Sequence, residues 1–261
     1  MNFDNTNIFI GGSTSGIGWE CAKLFAIKGA NVTLVSRNSK KLENRKSELF
    51  NNGSQNHMVL ALDYTDPITL EANLTNFINQ NNLIFDVVIN NTGGPPGGLL
   101  HKADAVELLN AFNMHLLSFH KILGITVESM KKRNYGRIIN IISTSVKQPL
   151  NGLGVSNTVR AAVANWSKTL ANELGEFGIT VNNVLPGATN TGRLNEIINV
   201  KAKKLNLDES MILKQMANEV PMKRIAEPVE VANAVIFLAS KEASYINGIN
   251  LPVDGGRTKS L

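Results

Sequence analysis

A chain of 261 residues, 43% hydrophobic and 18% charged, can bury one substantial core, and an α/β domain of this length need not split. No apolar run reaches 18 residues, so no transmembrane helix is expected, and the opening MNFDNTNIFIGG lacks the basic and apolar regions of a signal peptide. The net charge of +5 is scattered, without a basic stripe and interleaved aromatics, which argues against nucleic-acid binding; a single cysteine, Cys21, excludes an internal disulfide and fits a reducing cytoplasm.

In chain order, NIFIGG (7–12) is a short apolar run ending in glycine and predicts a buried strand. GWECAKLFAIKGA then has helical spacing, NVTLVSR (31–37) predicts a strand, KKLENRKSELFNN a helix, and HMVLALD (57–63) a strand. A polar helix precedes the strand FDVVINN (85–91). A long helix is expected over roughly 104–132, then a strand at GRIINIIS (136–143) and a helix over 155–175. ITVNNVLPG (179–187) predicts a strand, followed by a polar helical insert, a helix near 228–239 and a last strand, GINLPVD (248–254). Strands alternating with helices imply βαβ units, right-handed crossovers and a doubly wound, Rossmann-like parallel sheet. No linker, low-complexity segment or repeat interrupts residues 1–261, so one domain is expected. The chain is also rich in asparagine, for which composition gives no functional account.

The stretch GGSTSGIG (11–18) lies between the first strand and its helix. That is the context a dinucleotide-binding loop requires: small residues for a tight turn, then a helix N-terminus facing the pyrophosphate. Gly12, Gly16 and Gly18 are spaced G-x-x-x-G-x-G, with Ser13, Thr14, Ser15 and Ile17 completing the loop. The second strand ends in Ser36 and Arg37, where enzymes using NAD place an acid for the ribose 2′-OH. A guanidinium there can pair with a 2′-phosphate, so NADP(H) is favoured over NAD(H). The alternative for Arg37 is a solvated loop charge.

Taken together, these residues resemble the short-chain dehydrogenase/reductase family, and the resemblance covers nearly the whole chain. GGSTSGIG is similar to the family's TGxxxGIG, with Gly11 in place of Thr. Asp63 matches the family's Asp at the adenine ring, and NNTGG (90–94), with Asn91 and Gly93, is similar to its NNAG. VLPG matches its PG motif, with Thr189 and Thr191 where the family contacts the nicotinamide end. The C-terminal stretches VPMKRIAEPVEVANAVIFLAS and YINGINLPVDGG are similar to β-ketoacyl-carrier-protein reductases.

The family's catalytic set is Asn, Ser, Tyr and Lys. Ser143 matches the Ser, thirteen residues before position 156. Ser156 stands where Tyr belongs and Arg160 where Lys belongs; the Asn position aligns with His115, with Asn113 two residues away. NNTGGPP together with SNxxR resembles a divergent subset of the family, which implies its own catalytic solution.

The expected activity is NADP(H)-dependent hydride transfer to or from a carbonyl or hydroxyl substrate, a 3-oxoacyl thioester among the options, at an atypical site. A Ser hydroxyl is a far weaker acid than Tyr, so another proton source is needed. Arg160, at i+4 from Ser156, can keep the positive field and meet a ribose. Lys147, if desolvated, and His115 are the candidate proton donors. The plainer readings make Ser156 a packing residue, Arg160 a local ion-pair partner and His115 a core histidine. His115 and His120 are five apart with no Cys/His cluster, so no metal is expected.

On the substrate side, GGPPGGLLHKA (93–103) reads as a rigid loop at a strand end, and 190–222 as the substrate-lid insert. Arg193, Lys201, Lys203 and Lys204 in that insert can meet an anionic carrier or form a solvated helix face. The resemblance implies a cytoplasmic homotetramer. The alternative to an enzyme is a protein of the same fold that binds the cofactor without turnover, as a sensor or partner subunit.

Overall fold

Residues 1–260 are described by a computed structural model. Runs of β-branched and aromatic residues form seven strands: β1 (Asn7–Gly11), β2 (Asn31–Ser36), β3 (Met58–Ala61), β4 (Val87–Asn90), β5 (Gly136–Ile141), β6 (Ile179–Pro186) and β7 (Asn250–Val253). They pair in parallel in the order β3-β2-β1-β4-β5-β6-β7. Helices α1 (Gly16–Ile27), α2 (Ser39–Ser47), α3 (Pro67–Asn81), α4 (Ala105–Phe112), α5 (Ser118–Arg133), α6 (Gly154–Leu174), α7 (Gly192–Leu205), α8 (Glu209–Asn218) and α9 (Pro228–Ala239) connect or flank them.

Both faces of the sheet are covered, so the strands are mostly apolar and sort their side chains by alternation. Ile8, Ile10, Val87 and Ile89 face the layer containing Phe25 of α1 and Val235 of α9. Phe9 and Val88 face the opposite layer, which contains Leu70, Phe119 and Val163. The strand order reverses between β1 and β4, which opens a crevice at their C-terminal ends, where such folds take ligands.

The asparagines have physical roles that composition did not disclose. Asn90, Asn140, Asn183 and Asn250 lie in register across four strands. Each donates its side-chain amide to the next carbonyl: Asn90 to Asn140 at 2.8 Å, Asn140 to Asn183 at 3.0 Å and Asn183 to Asn250 at 2.8 Å. Ser167 of α6 also accepts from Asn140 and donates to Asn183. Asn82, Asn134 and Asn206 end α3, α5 and α7 in the left-handed conformation that asparagine tolerates.

Two expected elements differ. The helix expected through Asn52 ends at Ser47, because Gln55 and His57 fix a turn beyond it. Gln55 Nε2 donates to the carbonyls of Ala26 and Ala30 at 2.8 Å each, while His57 Nδ1 accepts from Val32 N at 3.2 Å and its Nε2 bonds Phe50 O at 2.9 Å. The helix expected over 104–132 follows one path but widens to a π-helical turn at Asn113–Leu117. Such turns often mark functional sites, and this one carries His115 against α6.

Candidate active site

The loop after β1 is shaped by close approach. Gly12 and Gly16 both have φ of +56°, and a Cβ on Gly12 would lie 2.7 Å from Asn91 Nδ2. Asn91 Nδ2 donates to Gly11 O at 3.1 Å, so it braces the loop. Ser13 is fully buried; its hydroxyl accepts from Val35 N at 2.8 Å, which pins the loop to β2. Gly11 stands where the family has Thr because Tyr64 fills that space: a Cβ there would collide with the Tyr64 hydroxyl and with Asn91 O.

Past this turn the chain opens toward a ligand. Ser15, extended and exposed, precedes α1 without a side-chain cap, and no acidic residue lies in the first turn. The first N–H groups of α1 are therefore left for an anion, with the helix dipole favouring one. This cradle fits a dinucleotide pyrophosphate. Ile17 and Gly18 turn inward, Ile17 packing on the core beneath.

The residues expected at the adenosine end surround the same mouth. Arg37 is exposed just beyond β2. Asp63 Oδ1 accepts from Thr65 N and Oγ1 at 2.9 and 2.7 Å, which fixes the carboxylate after β3. Sequence reasoning missed Arg45 of α2. It lies 4.7 Å from the Trp19 ring centroid, donates to Thr14 O at 3.2 Å and pairs with Glu48. Its i, i+4 spacing from Lys41 gave no hint, because only the packing of α2 brings it to the loop. At the nicotinamide end, Thr189 is buried and donates to Gly187 O at 3.1 Å; Thr191 precedes α7, its Cγ2 3.1 Å from where a Gly16 Cβ would lie. Gly93 is exposed with open space around it.

The residues expected to be catalytic cluster where β5 meets α6. Ser143, half-buried beyond β5, accepts from Ser145 N at 3.1 Å and starts a short 3₁₀ turn that Lys147 closes. Arg160, only 8% exposed, donates from Nε to Ser156 Oγ at 3.3 Å and from Nη1 to the carbonyls of Ile141 and Ile142 at 3.2 and 3.1 Å. Burial, then the like charge of Arg193, push Arg160 down to about 10, so it stays cationic at neutral pH. His115 is fully buried, and neither ring nitrogen has a partner. Burial, then the Arg160 charge, hold it well below its usual range, so it is neutral. Lys147 is half-buried one turn away. Tyr245 is fully exposed, Tyr135 packs on Arg137, and Tyr64 lies under the phosphate loop.

Above the cluster, α7 and α8 share a small core of Leu194, Ile198, Ala202 and Ile212. Arg193 of α7 donates from Nη2 to Pro95 O at 2.6 Å, which ties this segment to the loop after β4. Lys201, Lys203 and Lys204 are exposed. A cavity of about 290 Å³ is lined by Thr144, Gln148, Leu150, Glu219 and Arg257.

A glycine loop at the reversal point of a parallel sheet, with a buried cation on α6 bonded to the end of β5, fits a class of dinucleotide-dependent enzymes. The chain belongs to the short-chain dehydrogenase/reductase family: residues 12–258 match the family model described as enoyl-(acyl carrier protein) reductase. It is 30% identical over 254 residues to the NADPH-dependent reductase BacG of Bacillus subtilis, covering 97% of this chain and 98% of that protein. It is 32% identical over 258 residues to the 3-oxoacyl-[acyl-carrier-protein] reductase FabG of Vibrio harveyi, covering 98% of each. The L-sorbose reductase of Gluconobacter frateurii, solved with NADPH and L-sorbose, superposes with a TM-score of 0.93 at 30% identity, over 100% of this chain and 99% of that one.

Proposed function

We propose that this protein is an NADPH-dependent reductase of a carbonyl substrate, working without the family's Tyr–Lys pair. The observation that carries this reading is the Arg160–Ser156 hydrogen bond beside Ser143, at the open end of an anion-ready glycine loop. The NADPH dependence printed for BacG and the NADPH bound to the sorbose reductase support the choice of dinucleotide. A 3-oxoacyl thioester is the substrate that the FabG name offers.

The N–H groups of α1 and the turn at Gly12–Gly16 hold the pyrophosphate; Arg37, with Arg45 behind the loop, holds the 2′-phosphate. Asp63 meets the adenine, and Thr189, Thr191, Asn91 and Gly93 border the nicotinamide end. When bound, the dinucleotide supplies the hydride. Ser143 donates a hydrogen bond to the substrate oxygen and so orients the carbonyl. Arg160 donates to Ser156 Oγ, which leaves the serine's own hydrogen free for that same oxygen and polarises the O–H. Arg160 itself keeps its proton and stabilises the alkoxide that forms. Ser156 then needs a replacement proton from solvent; His115, a neutral buried imidazole, is the first candidate to pass it on. Lys147 is the second candidate for that supply.

The segment 190–222 serves as the substrate lid of a single domain. Exposed Val106, Leu109, Phe112 and Leu117 support a homotetramer built on the α4–α5 face, which light scattering tests. The reductase reading is tested by NADPH consumption against a panel of carbonyl compounds. Turnover abolished by Ser143→Ala supports it; tight NADPH binding with no turnover of any substrate would leave a cofactor-binding protein in its place.

A further inference from the structure

This inference rests on the reductase reading above and concerns what its substrate must carry. Arg160 is a buried cation whose three partners, Ser156 Oγ and the carbonyls of Ile141 and Ile142, are all uncharged. Among the described residues no carboxylate pairs with it. A buried charge without a counter-ion is costly, and a site that keeps one is built for an anion that arrives.

A second cation, Arg193, lies on the loop after the neighbouring strand β4. The Arg193 guanidinium lies against Gly94, its Nε 3.4 Å from where a Cβ would stand, and is held by Pro95 O at 2.6 Å. Pro95 follows β4 and Ile142 follows β5; these strands are neighbours, paired at Asn90 and Asn140. The same loop meets the start of α6, where Gly98 bridges Leu153 and Gly154 N donates to Gly98 O at 3.1 Å, just before Ser156; across this junction the charge of Arg193 acts on Arg160. Glu196 pairs with Arg193 Nη1 at 3.1 Å, but it is 68% exposed and lies on the solvent side of α7. The other side chains of the cluster, Ser143, Ser145, Ser156 and His115, carry no negative charge.

We propose that Arg160 and Arg193 form a receptor for a carboxylate, and that the substrate is an oxo acid with a free carboxylate a few bonds from the reacting carbonyl. The planar guanidinium fork matches a carboxylate better than a neutral ketone or a thioester. In the reaction the carbonyl carbon gains a hydride and its oxygen gains one proton. The nicotinamide is oxidised by two electrons, and the carboxylate is unchanged.

The test begins with calorimetry of NADPH binding, then follows NADPH consumption by the full chain with 2-oxo and 3-oxo acids, their methyl esters and their N-acetylcysteamine thioesters. The acids are expected to exceed their esters and thioesters in kcat/KM by about 10- to 100-fold, the worth of one charge-assisted pair. Arg193→Gln should shrink that ratio by a similar factor, and Arg193→Lys should restore part of it. Oxalate should raise the melting temperature of the wild-type NADPH complex and not that of the Arg193→Gln complex. Thioesters or esters turned over as well as acids, an equal loss on acids and esters in Arg193→Gln, or no response to oxalate would overturn the receptor while leaving the reductase reading intact. Absence of NADPH binding would overturn both.

Discussion

Arg160 reaches one turn back along α6 to donate to Ser156 Oγ at 3.3 Å, and across to β5 to donate to two carbonyls at its end. By the sequence resemblance the pair stands where the family has Tyr and Lys, and it forms a hydrogen-bonded unit with its own geometry. Ser156 is 9% exposed, so a tyrosine ring there would overpack the junction of α6 and β5. Lysine at 160 would lose the fork that spans a hydroxyl and two carbonyls. The double variant Ser156→Tyr/Arg160→Lys is therefore expected to lose at least about tenfold in kcat/KM, or about 1.4 kcal/mol of transition-state stabilisation. Steady-state kinetics on the folded variant checks this, and a large gain would mark the native site as an impaired form of the common one.

Ser143 accepts from Ser145 N, and in the proposed mechanism its hydroxyl meets the substrate oxygen. Ser143→Ala is expected to lower kcat by about 10²-fold while leaving NADPH affinity within about threefold, since it removes one donor to developing charge. Comparing kcat with a calorimetric Kd separates the two effects.

The asparagine ladder makes a stability prediction. Asn140 joins Asn90, Asn183 and Ser167 in the buried sheet. Asn140→Ala strands the Asn90 donor, costing about 1–3 kcal/mol, and removes the bonds to Asn183 and Ser167, worth about 1 kcal/mol more, while Asn183 Oδ1 still accepts from Ser167. A loss of roughly 2–4 kcal/mol is expected by chemical denaturation. Asn140→Leu should not recover it, because the stranded Asn90 donor stays buried.

His115 and His57 make the fold sensitive to acid. Burial is the first cause in both, and both are held below their usual value in the folded chain. Below about pH 6.5 the unfolded chain takes up protons that the folded one refuses. The stability these neutral histidines contribute is thus fully present above that pH and falls as pH drops, by up to about 1.4 kcal/mol per pH unit per group. Thermal unfolding at pH 8 and pH 5 should show a smaller acid loss in His115→Asn than in the wild type; an equal loss would mean His115 does not carry it.

Much of this architecture is legible in the residues. The apolar runs at 7–12, 31–37 and 179–187 gave their strands because a two-sided sheet demands continuous apolarity. The helix expected near 228–239 is α9, which starts at Pro228 behind a capping box of Glu227 and Glu230. Ser156 and Arg160 meet as their i, i+4 spacing allows. Other features depend on partners far away in the chain. The π turn at Asn113–Leu117 has no local signature. Tyr64 explains Gly11 only once β1 and the turn after β3 are side by side. Arg45 and Arg193 read as surface charges until packing lays one on Thr14 and the other on Pro95. The asparagines looked compositional because an in-register ladder spans residues 90 to 250.

Arg37, exposed beyond β2, is the cation assigned to the 2′-phosphate. Arg37→Ala is expected to weaken NADPH about 10- to 100-fold and to change NADH affinity by less than about threefold. Equal loss for both dinucleotides would assign Arg37 to the fold instead.

The most direct test of the whole account is a calorimetric titration of the purified protein with NADPH and with NADH. The account predicts saturable binding of both, with NADPH tighter by at least about tenfold, or 1.4 kcal/mol. Binding of neither, or a preference for NADH, would contradict it.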